Sequence, residues 1–337
     1  MHIDVVHTNT DRRKGAMIEI KNLTKRYGTN LAVDNISFTV NDGEIMGFLG
    51  PNGAGKSTTM NILTGYLSAT DGICLINGVD ILEHPTAAKQ KIGFLPEIPP
   101  LYLEMTVLEY LNFVYDLKKC TLDRKAHIAE ICDVIKITDV AHRLIGNLSK
   151  GYRQRVGIAQ ALIGNPEVLI FDEPTVGLDP VQIIEIRNLI RSLGKNHTVI
   201  LSTHILPEVQ AVCDRIVVIN KGRIVADTST SEIEKLTGGS DRYKLRVSGK
   251  PEEVLSVLRG IDGVLKAQVA DGCSFDTSST DFLLECCGGD DIRKQIFYAL
   301  AGAGDMAILS FEPVGASLED IFISLVEKGT EKEEVSE

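Results

Sequence analysis

The sequence predicts an α/β core built on a largely parallel sheet, followed by a smaller α+β domain. Three observations carry this. Wholly apolar runs such as VLIF (168–171) and IVVI (216–219) read as strands buried on both faces. They alternate with amphipathic stretches such as IIEIRNLIRSLG (183–194), and strand–helix alternation builds parallel sheets. Past residue 241 the order becomes strand, helix, strand, strand, helix, strand, which is that of a ferredoxin-like unit. A length of 337 residues suits two domains, taking about 150 residues for each.

The elements follow in order. Residues 1–16 lack an apolar stretch of signal-peptide type and are expected to form a flexible tail. IEIKNLTKRYG (18–28) and LAVDNISFTV (31–40) read as strands, and Asn41-Asp42-Gly43 as a turn. EIMGFLG (44–50) is an apolar strand entering a glycine-rich stretch, and KSTTMNILTGYL (56–67) has helical spacing, with Met60, Leu63 and Leu67 on one face. TDGICLING (70–78) suggests a hairpin, and KIGFLPE (91–97) a strand stopped by Pro96. From about 98 to 165 glycine is sparse and the apolar period is helical, with Thr106 and Glu109 spaced for a capping box. EVLIFDEP (167–174), HTVILSTH (197–204) and DRIVVINKGRIVAD (214–227) supply two buried strands and a hairpin. These elements make one domain over 17–235. The polar stretch 228–241 reads as a linker, 241–329 as the second domain ending in the helix SLEDIFISLVEKG (317–329), and 330–337 as a disordered tail.

Composition excludes several classes. No apolar run approaches the roughly 20 residues of a membrane-spanning helix. The net charge of −11 argues against a protein built to neutralise nucleic acid. Residues 241–337 hold 10 Lys and Arg against 19 Asp and Glu, so the acidity belongs to the second domain and the first is nearly neutral. The seven cysteines lack metal-ligand spacing and read as inert thiols.

The chemistry lies in GPNGAGKST (50–58). It fits G-x-x-x-x-G-K-[ST] after a predicted strand and before a predicted helix, the context a phosphate-binding loop requires. Gly50, Pro51, Asn52, Gly53, Ala54 and Gly55 form the loop whose amides turn toward a polyphosphate at a helix N-terminus. Lys56 can reach the β- and γ-phosphates, Ser57 can ligate Mg²⁺, and Thr58 follows in the first turn. Asp172 and Glu173 end the strand VLIF, where carboxylates reach the sheet edge. Asp172 is expected to hold Mg²⁺, and Glu173 to orient and polarise the attacking water.

With these motifs in place, residues 18–235 resemble the ATPase subunit of an ATP-binding cassette (ABC) transporter. LSKGYRQR (148–155) sits at the family's LSGGQ signature, GLDP (177–180) resembles the D-loop, and His204 resembles the switch histidine. Glu97 sits at the Q-loop position and Tyr27 at the adenine-stacking aromatic position. The resemblance implies a cassette with a mixed sheet core and a helical subdomain at about 98–165, binding ATP and Mg²⁺. It implies that Ser149 and Gly151 close on the γ-phosphate held by a second cassette, a homodimer in the simplest case, and that Asp179 shapes that interface. Lys150 and Tyr152 replace a Gly and a Gln of the usual signature, and Glu97 replaces a Gln. GASLEDIFISLVEKG (315–329) and the LSKGYRQR wording resemble the ABC-2 exporter branch, including gliding-motility-associated and multidrug ATPases. That branch implies a separate multi-spanning permease, a place on the cytoplasmic face of the membrane, and no nucleic-acid partner. Two alternatives stay open at this point: a soluble ABC ATPase acting on nucleic acid or ribosomes, and an ATP-binding regulatory protein with little turnover.

Overall fold

The computed structural model describes residues 16–232, 240–270, 279–287, 292–304 and 306–313. The expected helix 317–329, the tail 330–337, residues 1–15 of the N-terminal tail and residues 233–239 of the linker lie outside the described residues. The chain divides into two compact units, at Thr230 and Ser231.

In the first unit, β1 (Ala16–Tyr27) and β2 (Asn30–Asn41) pair antiparallel, and β4 (Asp71–Ile76) and β5 (Val79–Asp80) complete a four-stranded sheet in the order β2-β1-β4-β5. A second sheet contains β3 (Ile45–Leu49), β6 (Ile92–Leu95), β7 (Val168–Asp172), β8 (Thr198–Thr203), β9 (Arg215–Asn220) and β10 (Arg223–Ser229) in the order β10-β9-β3-β8-β7-β6. Its pairs are parallel except β9 with β10, whose turn places Lys221 at φ +46° and Gly222 at φ +80°. β3, β7 and β8 are buried along their whole length, around the apolar runs IMGFL, VLIF and VIL. The register sets Leu49 beside Thr203 and Asp172 beside Ser202. The loops after β3, β7 and β8 therefore leave one sheet edge side by side, where open α/β sheets bind ligands.

The helices are α1 (Lys56–Leu63), α2 (Pro85–Gln90), α3 (Val107–Leu117), α4 (Arg124–Ile135), α5 (Lys150–Leu162), α6 (Pro180–Leu193) and α7 (Leu206–Val212). α1 stops four residues short of Leu67, because Gly65 turns the chain at φ +64°. α3 carries the full capping box: Glu109 N donates to Thr106 Oγ1 at 3.2 Å, and Thr106 N to Glu109 Oε2 at 2.8 Å. α3, α4 and α5 occupy the helical stretch between β6 and β7.

The second unit holds β11 (Ser240–Ser248), α8 (Pro251–Arg259), β12 (Val264–Val269), β13 (Ser279–Cys287), α9 (Ile292–Gly302) and β14 (Ile308–Pro313). Its strands pair antiparallel in the order β12-β13-β11-β14, the pairing of a ferredoxin-like sheet. Leu245, Val247, Phe282 and Leu284 form its core with Val254, Leu258, Ile296 and Leu300 of the two helices. The alternate strand positions carry charge pairs, including Arg246 to Asp281 at 2.5 and 2.8 Å and Arg242 to Glu285 at 3.3 Å. The described cysteines are free thiols.

Candidate functional site

The loop between β3 and α1 turns through Gly53 at φ +79° and Gly55 at φ +108°, conformations open to glycine at little cost. A Cβ at Gly50 would lie 2.4 Å from the Ile219 carbonyl oxygen, so this position takes no side chain. The conformation holds α1 with its first-turn amides at the cavity. Lys56 is buried and donates from Nζ to the Gly50 and Pro51 carbonyls at 2.8 and 3.2 Å.

β7 delivers the acids. Glu173 is buried at φ +49°, a costly conformation for a side-chain-bearing residue, and its N–H is held by the Ser202 carbonyl at 2.9 Å. Its carboxylate lies 3.5 Å from Lys56 Nζ and 3.0 Å from His204 Nδ1. An ionised carboxylate only accepts hydrogen bonds, so this contact assigns the proton to Nδ1 and leaves Nε2 for another partner. Asp172 lies deeper, and burial pushes its carboxyl above the usual range. Asp172 Oδ1 is buried with no hydrogen-bond partner, an arrangement that costs free energy until something satisfies it.

Tyr27, Asn52, Gly53, Gly55, Lys56, Ser57, Thr58, Glu97, Glu173 and His204 line one cavity of about 520 Å³. Gly50, Pro51 and Ala54 belong to the same loop but do not line the cavity. Tyr27 is half-exposed, with Lys25 Nζ 5.3 Å from its ring centroid. Ser149, Gly151 and Asp179 stand elsewhere. Ser149 caps α5, accepting from Tyr152 N at 3.4 Å, and lines with Gly151 and Gln182 a second cavity of about 240 Å³. Asp179 caps α6, accepting from Gln182 N at 2.9 Å. Asn30 and Ala32 also line the first cavity and were not expected from the sequence; the Tyr27–Asn30 pairing at the β1–β2 turn brings that turn to the site.

The residues fit a nucleotide with a divalent cation. The glycine loop and Lys56 offer amides and a cation to phosphates, and the orphan Oδ1 of Asp172 beside Ser57 offers hard oxygens. No group of three or more His, Cys, Asp or Glu residues is placed to hold a metal by itself among the described residues. That suits Mg²⁺, which takes one or two protein oxygens and completes its shell with phosphates and water.

A parallel sheet with a phosphate loop after β3 and an Asp-Glu pair ending β7 defines a P-loop ATPase. The ABC transporter family profile matches residues 33–176. An uncharacterised ABC transporter ATP-binding protein of Bacillus subtilis, YhcH, is 38% identical over 249 residues, which span 73% of this chain and 80% of that protein. The bacitracin transport ATP-binding protein BcrA of Bacillus licheniformis is 37% identical over 65% of this chain and 72% of its own. The linearmycin resistance ATP-binding protein LnrL of Bacillus subtilis is 36% identical over 73% and 79%. A dimeric post-hydrolysis structure of the cassette MJ0796 bound to ADP and Pi superposes with a TM-score of 0.58 at 27% identity, covering 64% of this chain and 99% of that one. The chain belongs to the ABC transporter ATP-binding proteins and is an ATPase. No described helix is long and apolar enough to cross a membrane.

Proposed function

We propose that the chain powers an ABC-2 type exporter as a homodimer of cassettes, on the cytoplasmic face of the membrane beside a separate multi-spanning permease. The observation that carries the catalytic part is the Glu173 carboxylate set between Lys56 Nζ and His204 Nδ1 in the nucleotide cavity. Glu173 orients the attacking water and takes its proton. Lys56 spreads the charge of the β- and γ-phosphates, and the loop amides bind the rest of the polyphosphate. His204, anchored to Glu173, offers its other ring nitrogen to the γ-phosphate. Tyr27 stacks on adenine. Ser57 and Asp172, with Glu97 at the cavity wall, would hold Mg²⁺, which neutralises phosphate charge when bound. Ser149 and Gly151 at the start of α5 close on the γ-phosphate of the opposing cassette, with Asp179 at the shared interface.

The exporter reading is supported by the names of BcrA and LnrL and by the branch wording of 148–155 and 315–329. A surface for the permease is supported by a groove of about 560 Å³ lined by the exposed Tyr66 with Ile92, Phe94, Pro96 and Pro100. Lys118 stands at its wall, donating to the Ala161 and Ile163 carbonyls at 3.1 and 2.9 Å. Burial lowers its ammonium to about 8. A permease segment with an apolar face and one carboxylate complements this groove.

Glu173→Gln tests the assignment. The variant is expected to bind ATP, to lose at least about a hundredfold in turnover, and to elute as an ATP-stabilised dimer on size exclusion. Wild-type turnover in that variant would remove Glu173 from the catalytic role. An ATP-bound variant that stays monomeric at every concentration would remove the homodimer.

A further inference from the structure

Glu208 belongs to none of the motifs above, yet it is 1% exposed, in the first turn of α7. A buried carboxylate is costly unless its oxygens are satisfied. Here both are: Thr175 Oγ1 donates to Oε1 at 2.6 Å, and Thr203 Oγ1 donates to Oε2 at 3.0 Å. Both threonines are themselves buried.

Their positions in the chain give the contact its meaning. Thr175 lies two residues beyond Glu173, in the turn closed by Val176 N donating to the Glu173 carbonyl at 3.3 Å. Thr203 immediately precedes His204, and its hydroxyl also accepts from Ile205 N at 3.2 Å. One carboxylate thus spans the two segments that carry Glu173 and His204. Arg187 of α6, the helix capped by Asp179, approaches the same oxygen from 3.6 Å, and its Nε is buried without a partner.

Glu173 needs such a brace. Its φ of +49° persists only where surrounding structure overdetermines it, and β7 ends one residue earlier. The Ser202 carbonyl fixes its N–H from one side. The Thr175–Glu208–Thr203 bridge fixes the turn that follows from the other, and ties it to the residue that sets His204. We propose that Glu208 is a positioning residue for hydrolysis, holding the Glu173 and His204 segments at their working separation through Thr175 and Thr203. This rests on the roles given to Glu173 and His204 above.

The test uses the full chain and steady-state ATPase kinetics with ATP and Mg²⁺, alongside thermal melting of every variant. Truncating Glu208 risks the fold, so the hydroxyls are changed first. Thr175→Val and Thr203→Val are each expected to lower kcat about tenfold with KM for ATP within about twofold. The double variant is expected to fall no further than the worse single one, because both hydroxyls act through one carboxylate. Thr175→Ser and Thr203→Ser keep the donor and are expected to hold kcat within about twofold of wild type. Valine variants with wild-type kcat, a loss carried by KM, or serine variants as slow as valine ones would each overturn the inference. Glu173→Gln is run in parallel. If it is inactive while the valine variants are normal, Glu208 alone loses its role; if it is active, the assignment of Glu173 fails and takes this inference with it.

Discussion

Replacing Gly151 with Ala isolates the chemistry at the start of α5 from the stability of the helix. A Cβ at Gly151 would come within 2.6 Å of Gln182 Cδ and Oε1 and 2.8 Å of Nε2. These atoms are the far end of a flexible side chain, so Gln182 can move at a cost of about 0.5–1.5 kcal/mol in rotamer energy. Alanine at a helical glycine returns about 0.4–1 kcal/mol by restricting the unfolded chain. The two effects nearly cancel, and the net change stays within about 1 kcal/mol, which moves Tm by no more than about 4 °C. The added methyl nevertheless stands beside Ser149 in the small cavity proposed to receive the opposing γ-phosphate. Turnover is therefore expected to fall at least about a hundredfold, while equilibrium binding of ATP to the β3–α1 loop is unchanged. Scanning fluorimetry, fluorescent-nucleotide binding and phosphate release on one preparation give all three numbers. Wild-type turnover with an unchanged Tm would refute a phosphate role for the α5 N-terminus. A Tm loss well beyond the calculated range would show that the rearrangement reaches past Gln182.

Two further outcomes follow from other parts of the chain. Lys118 has a folded pKa of about 8 against an ordinary 10.5, so between those values the unfolded chain binds more protons and stability rises with pH. Relative to Lys118→Met, wild-type stability in urea melts is expected to climb from pH 8 to 10; a constant difference would contradict the desolvated ammonium. Phe282 is fully buried in the core of the second unit, and Phe282→Ala is expected to cost about 3–5 kcal/mol there. Hydrogen exchange should speed up across β11–β14 and leave β3, β7 and β8 protected; uniform loss in both units would contradict their separate cores.

The parts of the site that were legible in the sequence are those whose backbone demands are unusual. Gly53 and Gly55 take positive φ, Lys56 must follow them, and Asp172 and Glu173 end a strand too apolar to tolerate them inside. Few other sequences satisfy those demands, so the spacing betrays the site. Glu208 escapes because an acid in the first turn of a helix already has a local explanation in the helix dipole. Thr175 and Thr203 escape because a buried threonine in a turn or at a strand end is ordinary. Their meaning comes only from the register that sets β7 beside β8, a long-range fact that periodicity does not encode. The early end of α1 has the opposite cause: the apolar spacing runs on to Leu67, but a single φ at Gly65 outweighs it. The two-sheet division escaped likewise, since alternating strands along the chain do not say that β1, β2, β4 and β5 pair among themselves.

The departures in the signature make physical sense once side-chain directions are known. Lysine and tyrosine in place of a Gly and a Gln would crowd an anion site if they pointed into it. Tyr152 instead donates its hydroxyl to Asp139 Oδ2 at 3.0 Å, a bond that raises the phenol above its ordinary pKa. Lys150 packs its ammonium against Gly177, where a Cβ would lie 2.1 Å from Nζ. Gly177 stands at φ +70° in the turn leading to Asp179, so glycine serves there both the backbone and the lysine above it. Both long side chains are thus engaged by their own chain, and the N-terminal turn of α5 still presents Ser149 and Gly151. The lysine adds a link between the start of α5 and the turn before α6, the two segments proposed to face the opposing cassette. A substitution that shortens it should therefore loosen the Asp179 turn before it touches the phosphate site, and the reverse order of effects would place Lys150 among the phosphate ligands instead.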